Sequence, residues 1–330
     1  MANLSTNYMG FKLKNPIIAG SSGLNKTVEN LQKLEKHGAA AVVLKSLFEE
    51  QIMHEVNKVM NNKDNRENYS YPEAEDYISN YTKEKDLNDY LRLIEQGKKT
   101  ITIPLIASIN CISASEWTTF AKKIENAGAD ALELNVFILP SDTKRDSAQN
   151  EQLYFDVVTE VMRQVSIPVA LKVSHYFSSL AKTTLKLSWT GIAGMVLFNR
   201  FFSPEIDIDQ FRVTSSHVFS TKDEIYTPLR WIAMLSDRLH CDIAGSTGVH
   251  DGEGAVKMLL AGARAVQIAS VLYKNGFEAI GEINAFIEQW MDKHNFKTTD
   301  EFIGKMSVKF AENPAAYERV QFMKHFAGIE

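Results

Sequence analysis

A chain of 330 residues, 23% charged and 45% hydrophobic, has an ordinary globular composition and is long enough for one large domain or two ordinary ones. Its 36 basic and 41 acidic side chains give a net charge of −5, which argues against nucleic acid or an anionic membrane as the main partner. The two cysteines, Cys111 and Cys241, lack metal-ligand spacing and are too few for a disulfide framework, so they read as buried reduced thiols and no metal site is expected.

The opening residues, MANLSTNYMG, show no basic stretch leading into an apolar core, and no apolar run approaches the roughly 18 residues of a membrane helix. A cytoplasmic protein without membrane insertion is expected. The chain then repeats one unit. Short apolar runs predict strands at 15–22 (NPIIAGSS), 40–46 (AAVVLKS), 104–110 (PLIASIN), 131–137 (ALELNVF), 168–174 (PVALKVS), 194–199 (GMVLFN), 241–247 (CDIAGST) and 265–270 (AVQIAS). Between them lie helical patterns such as TVENLQKLEKHG, ASEWTTFAKKIENAG and DGEGAVKMLLAG, with apolar residues three or four apart. Several helices end in a glycine just before the next strand, at Gly38, Gly128, Gly191 and Gly262, which suits a left-handed C-cap.

Strands this uniformly apolar belong in a parallel sheet covered on both faces. Eight β–α units predict an α/β fold, a single-domain (β/α)8 TIM barrel spanning 1–330. A doubly wound open sheet is the competing arrangement, but the first strand–helix turn, AGSSGLN, carries no G-x-G-x-x-G. The interval after strand two, 47–103, is polar and tyrosine-rich in its middle and predicts an excursion on the C-terminal face. A lid, a partner-contact arm and a mobile surface loop all fit it. The tail, 300–330, reads as an amphipathic segment packed on the barrel.

Residues at the C-terminal ends of barrel strands converge on one mouth. Here they read Ser21–Ser22–Gly23, Lys45–Ser46, Asn110, Asn135, Lys172, Asn199–Arg200, Ser246–Thr247–Gly248 and Ala269–Ser270. Any one of them has a bland reading: Lys45 as a surface lysine, Asn135 as a loop cap. Eight strand ends in a row with small or hydrogen-bonding residues are more than core strands need in order to stop. The glycine and hydroxyl turns after strands seven and eight, AGSTGVHDGEG and ASVLYKNG, expose backbone N–H groups where barrels often bind phosphate. No cluster of His, Asp or Glu accompanies them, which excludes most metal hydrolases and the paired carboxylates of glycosidases. A donor-rich, acid-poor mouth suits an electron-rich planar heterocycle bearing a phosphate, such as a flavin whose reduced ring needs stabilising.

These motifs resemble the dihydroorotate dehydrogenases, particularly class 1 and the related bacterial flavoproteins. The resemblance runs from LKNPIIAGSSG to EFIGKMS and is specific in NPIIAGSSG, VLKS, ELN, ALKVS, LFNR, GSTG and QIAS, in the family's order. It implies FMN as cofactor and a dihydropyrimidine-type small molecule as substrate, with no nucleic acid and a homodimer as a compatible assembly. By the same resemblance, Ala19, Gly20 and Ser21 would lie beside the isoalloxazine ring, and Lys45 and Ser46 would reach flavin and substrate. Asn110 and Asn135 match flavin-contacting amides, with Asn135 also facing substrate. Lys172 matches the lysine near flavin N1, and Asn199 an amide that holds the pyrimidine. Gly245, Ser246, Thr247, Gly248, Ala269 and Ser270 match the phosphate cradle.

The chain also departs from the pattern. The family carries a cysteine or serine base in E-L-N-x-S-C-P-N, but Glu133, Leu134 and Asn135 here are followed by Ile138 at the ungapped base position, or by Leu139 if Pro140 is aligned with the motif proline. Ser141 and Cys111 are the nearest replacements. The substrate loop N-S-M-G-L-P-N has no counterpart in ENYSYPEAEDYISN, and FSTKDEIYTPLRW stands where a glycine-rich stretch is expected. The expected reaction is hydride transfer from dihydroorotate or a related compound to FMN. The alternatives are an FMN-binding barrel with another substrate or no reaction, and a Schiff-base lyase using Lys172 or Lys45.

Overall fold

In the computed structural model, residues 2–48, 72–110, 114–201, 203–216 and 218–318 are described. Two short strands, β1 (Thr6–Tyr8) and β2 (Phe11–Leu13), form an antiparallel hairpin ahead of the repeat. The repeat follows as β3 (Ile17–Ala19), α1 (Val28–Lys36), β4 (Ala41–Val43), β5 (Leu47–Phe48), α2 (Pro72–Thr100), β6 (Leu105–Asn110), α3 (Ala114–Asn126) and β7 (Ala131–Asn135). It continues with α4 (Ser147–Met162), β8 (Val169–Val173), α5 (Leu180–Ser188) and β9 (Gly194–Leu197). After a second hairpin, β10 (Ser203–Asp207) and β11 (Arg212–Ser216), come α6 (Tyr226–Leu235), β12 (Asp242–Ser246), α7 (Gly252–Ala261), β13 (Ala265–Ile268), α8 (Ser270–Asn275) and α9 (Ala279–Lys293).

The parallel strands run in the order β4-β3-β13-β12-β9-β8-β7-β6, and β6 pairs back onto β4 through Val42↔Leu105 and Val43↔Ile106. That last pairing closes the barrel. All eight expected strands are present, each shorter than its apolar run, and the four predicted glycine caps all have positive φ.

Because side chains alternate across each strand, the barrel has two apolar cores. The outward set, with Ile17, Val42, Leu105, Leu132, Leu171 and Val266, packs against the helices. The inward set is small: Ala41, Ala131, Ala170, Ala244 and Ala265 surround Ile18, Val43, Ile106 and Val196. Tyr8, Met9 and Leu13 of the N-terminal hairpin join this inner core at the N-terminal ends of the strands. Met9 N donates to Asp242 Oδ2 at 2.8 Å, and Thr6 Oγ1 to Arg264 O at 2.9 Å. The bottom is therefore plugged, and the open end is the C-terminal one.

Two regions hold elements that the sequence did not predict. The interval 47–103 fits the expected excursion, and α2 occupies its second half, with Leu87, Tyr90 and Ile94 buried against α1 and β6. Its apolar stripe is confined to the last turns, so the polar first half hides the helix in the sequence. Within the interval 47–103, where a lid, a partner-contact arm or a mobile loop was expected, residues 49–71 lie outside the described residues. The β10–β11 hairpin is the other surprise; its turn is held by Asp207 Oδ1, which accepts from Asp209 N and Gln210 N. The tail docks through Phe302, which is fully buried, and through Gly304 N, Met306 N and Val308 N donating to Leu259 O, Leu260 O and Ala233 O on α7 and α6. Its last residues, 319–330, lie outside the described ones. Among the described residues no helix is long and apolar enough to cross a membrane.

Candidate functional site

Following the inward phase of each strand upward, apolar side chains give way to polar ones. On β7 the sequence Ala131, Glu133, Asn135 makes this change; on β6 it is Ile106, Ser108, Asn110; on β8 Ala170, Lys172; on β13 Ala265, Gln267. The polar layer floors a cavity of about 450 Å³ at the mouth. Gly20, Ser21, Lys45, Ser46, Asn110, Asn135, Lys172, Asn199, Ser246, Thr247, Gly248, Ala269 and Ser270 all line it, so one space collects these expected site residues from eight strand ends. Ala19 and Gly245 do not line it. Ala19 lies in the outward core, and a Cβ on Gly245 would meet Met258 Sδ at 3.0 Å, so both face the helices.

The floor holds a relay. Lys172 Nζ donates to Gln267 Oε1 at 3.0 Å, and Gln267 Nε2 donates to Glu133 Oε2 at 2.5 Å. Glu133 is 1% exposed, and its Oε1 lies 3.8 Å from the ammonium and accepts no hydrogen bond from a described residue. Asn135 Oδ1 is likewise buried and unpartnered. A hydroxyl chain stands beside this floor: Ser21 Oγ is 3.2 Å from Ser46 Oγ, which is 2.7 Å from Ser108 Oγ. Tyr90 of α2 fixes Ser108 through both backbone groups, at 2.8 and 3.0 Å. Asn25, fully buried, clamps the first two strand ends by donating to Gly20 O at 2.8 Å and Val43 O at 2.7 Å.

At the other end of the cavity Thr247 and Gly248 take φ values of 77° and 79°. Thr247 is held there by Oγ1 donating to Phe198 O at 3.2 Å. Gly248 can carry no side chain, since a Cβ would lie 2.2 Å from Ile225 N. The segment standing in for the expected glycine-rich stretch closes this end. Ser220 N donates to Ser270 Oγ at 3.0 Å, Ser220 Oγ is 2.9 Å from His250 Nε2, and Lys274 Nζ donates to Ser220 O at 2.8 Å. Burial, and then the Lys274 charge, hold the His250 pKa below its usual value. Arg200 anchors the same segment, with Nε donating to Glu224 Oε2 at 2.8 Å and Nη1 to Val218 O at 2.9 Å.

The loop after β7 presents Phe137 to the cavity, its ring 4.0 Å from that of Phe201. Ile138 instead lines a neighbouring recess of about 440 Å³ with Tyr154, His175 and Tyr176. Leu139 and Ser141 are exposed and line neither space, while Cys111 lies outside the described residues. Asn199 is pinned by Nδ2 donating to Val136 O at 3.0 Å and Lys172 O at 3.4 Å, leaving its carbonyl as the available group. Asn199 also lines a smaller recess of about 240 Å³ together with His175, Phe198, Phe201 and Arg200.

The family model described as dihydroorotate dehydrogenase matches residues 3–291. The chain belongs to the dihydroorotate dehydrogenase family. Among curated relatives, the dihydroorotate dehydrogenase B (NAD(+)) catalytic subunit of Thermoplasma volcanium is 27% identical over 320 residues, covering 92% of this chain and 98% of that one. The subunit of the same name from Methanocaldococcus jannaschii is 26% identical, covering 91% and 97%, and that from Pyrococcus furiosus is 28% identical, covering 89% and 96%. The resemblance read from NPIIAGSSG through QIAS is thereby borne out at family level.

Within this family framework, four site residues escaped sequence reasoning as functional: Glu133, Gln267, Ser108 and Ser220. The first three had a signal, a polar residue at the inward phase of an otherwise apolar strand. Ser220 had none, because its loop meets Ser270 only through the tertiary fold.

Proposed function

We propose that this chain is an FMN-dependent oxidoreductase that oxidises dihydroorotate or a related dihydropyrimidine. The observation that carries the reading is the single cavity with two chemically distinct ends. One end has Lys172 and the unpartnered Asn135 Oδ1, which call for a ligand with both acceptors and an N–H. The other end has the positive-φ turn at Thr247–Gly248 and the Ser270 hydroxyl, suited to a phosphate. FMN fits that donor set, and when bound it would accept a hydride from the dihydropyrimidine ring. The relatives' names support dihydroorotate as the first substrate to test.

On this reading Lys172 and Lys45 stabilise negative charge on the ring, and Asn135 and the Asn199 carbonyl orient ring N–H groups. Phe137 and Phe201 keep water from the reacting face. The proton that leaves as the hydride departs is taken by His175 rather than by the loop after β7. That imidazole lines two recesses beside the cavity, not the cavity itself, and shares one of them with Asn199; its ring nitrogens have no hydrogen bond among the described residues, and burial lowers its pKa, which favours the neutral form. A Schiff-base role for Lys172 is disfavoured, because its ammonium is engaged by Gln267 beside Glu133 instead of lying in an apolar pocket.

A second reading is an FMN-binding barrel without this reaction, favoured by Ile138 where relatives of the family carry a base. Anaerobic stopped-flow mixing of the yellow protein with a panel of dihydropyrimidines separates the two. Bleaching of the flavin by one of them on a catalytic timescale supports the oxidoreductase; a bound flavin that none of them bleaches overturns it.

A further inference from the structure

We propose that Glu133, acting through Gln267, sets how much of the Lys172 charge reaches the flavin ring, and so fixes the reduction potential of the bound flavin. The inference rests on the FMN reading above. Three side chains from three neighbouring or facing strands, β7, β8 and β13, meet on the cavity floor, and all three line the cavity. The direction of the relay is forced. An ammonium can only donate and a carboxylate can only accept, so Gln267 must present Oε1 to Lys172 and Nε2 to Glu133. The amide therefore acts as a spacer that keeps cation and anion 3.8 Å apart instead of in direct contact.

A buried ion pair is a weak stabiliser, and well-packed apolar residues of similar volume often do as well or better. The barrel interior below uses alanines and other apolar side chains, so the fold itself does not call for charge at this level. The spacing has a chemical consequence. Lys172 keeps N–H groups for a ligand above it, while the carboxylate, with an unpartnered Oε1, offsets part of the positive field that the ligand feels. Glu133 and Gln267 are thus positioning residues that act through Lys172.

The test is the midpoint potential of FMN bound to the full chain, measured by dye-equilibrated reductive titration. Glu133→Gln keeps an oxygen for Gln267 Nε2 but removes the negative charge, so the reduced ring gains stability. The expected result is a shift of at least tenfold toward reduced flavin, a rise of about 30 mV for a two-electron couple. Gln267→Leu keeps both charges and removes the spacer, letting the ammonium fall onto the carboxylate, so the potential falls, as it does in Lys172→Met. A merely structural role moves stability in both variants without opposite shifts in potential.

An unchanged or lowered potential in Glu133→Gln overturns the proposal. If that variant does not fold or hold FMN, the sign in Gln267→Leu decides, and no fall there overturns it. A readout in flavin-stripped protein separates this proposal from the FMN reading. Trace acetylation of Lys172, followed by peptide mass spectrometry, should be several-fold faster in Glu133→Gln than in the unmodified chain. If the unmodified chain binds no FMN, the FMN reading fails, and equal acetylation rates then also sink the coupling of Glu133 to Lys172.

Discussion

Gly248→Ala tests the turn that ends β12, and its cost can be worked from two separate terms. At φ 79° an L-residue in the left-handed region costs about 1–2 kcal/mol. The new Cβ would also lie 2.2 Å from Ile225 N and 2.6 Å from Ile225 Cα, which are backbone atoms that cannot swing aside. Overpacking of this kind costs about 1–3 kcal/mol, so the expected total is about 2–5 kcal/mol. That is a large share of the roughly 5–15 kcal/mol that holds a typical domain folded. Gly128→Ala is the internal control: its φ is 95°, but a Cβ there meets nothing within 4 Å, so only the conformational term applies. Urea denaturation of both variants gives the difference directly, and flavin retention after gel filtration reports the turn. A Gly248→Ala variant no less stable than Gly128→Ala, with flavin fully retained, would refute both the packing argument and the placement of a phosphate at this turn.

His175→Gln should lower the rate of flavin reduction by about 10²–10⁴-fold while leaving FMN affinity unchanged. In the unmodified chain that rate should rise with pH through a value below the usual imidazole pKa of about 6.5, and the variant should lose this limb. The groups that share the imidazole's two recesses are Tyr176, Arg200 and Glu224 on one side and Arg145, Glu151 and Tyr154 on the other, so each is a control for the assignment. Ile138→Cys should raise turnover of dihydroorotate by less than about tenfold, because that side chain lines only the recess Asn199 does not reach, whereas His175 also lines the one it does; a gain in the 10²–10⁴ range expected of a general base would place the loop differently. Hydrogen bonds from Lys122 and then Ser166 hold the Glu125 carboxyl at about 2, below the 4.5 of the free group. A lowered folded-state pKa means that its stabilisation is complete above pH 4.5 and is lost as pH falls toward about 2. Thermal melts across that window should show a steeper loss in the unmodified chain than in Glu125→Gln.

The barrel was legible because its strands are apolar on both faces and its helices end in glycines, two signals that depend only on local sequence. The mouth was legible for the same reason, since Lys45, Asn110, Asn135 and Lys172 each stand at a strand end. The misses share a different cause. The first turns of α2 have no apolar stripe, so nothing in YPEAEDYISN distinguishes a helix from a polar loop. Gln267 and Glu133 are far apart in the sequence, and only closure of the sheet brings β13 and β7 to opposite sides of one floor. Gly245 shows the opposite limit. It sits in the right motif, yet the phase of β12 turns it toward Met258 and away from the mouth.

The site divides by the kind of backbone that holds it, and that division explains how strong family motifs coexist with Ile138 at the expected base position. Lys172, Gln267, Glu133 and Ser108 are held by strands in a closed barrel, where pairing registers on both sides fix each side chain. Phe137, Ile138, His175, Arg200 and Ser220 sit on loops, whose direction is set by side-chain contacts such as Arg200 with Glu224 and Val218 or Phe137 with Phe201. A loop can exchange a base for an apolar residue without disturbing the floor, whereas a change of floor charge must be compensated within the barrel. On the proposed function, cofactor binding and substrate choice are therefore separable. Substitutions on the floor should alter flavin potential for every substrate alike, and substitutions at Phe137 or Phe201 should reorder substrates while leaving the potential where it is. Rates of flavin bleaching across the dihydropyrimidine panel, set beside the midpoint potentials of the same variants, measure that separation; a floor variant that reorders the panel would show that the two parts are not independent.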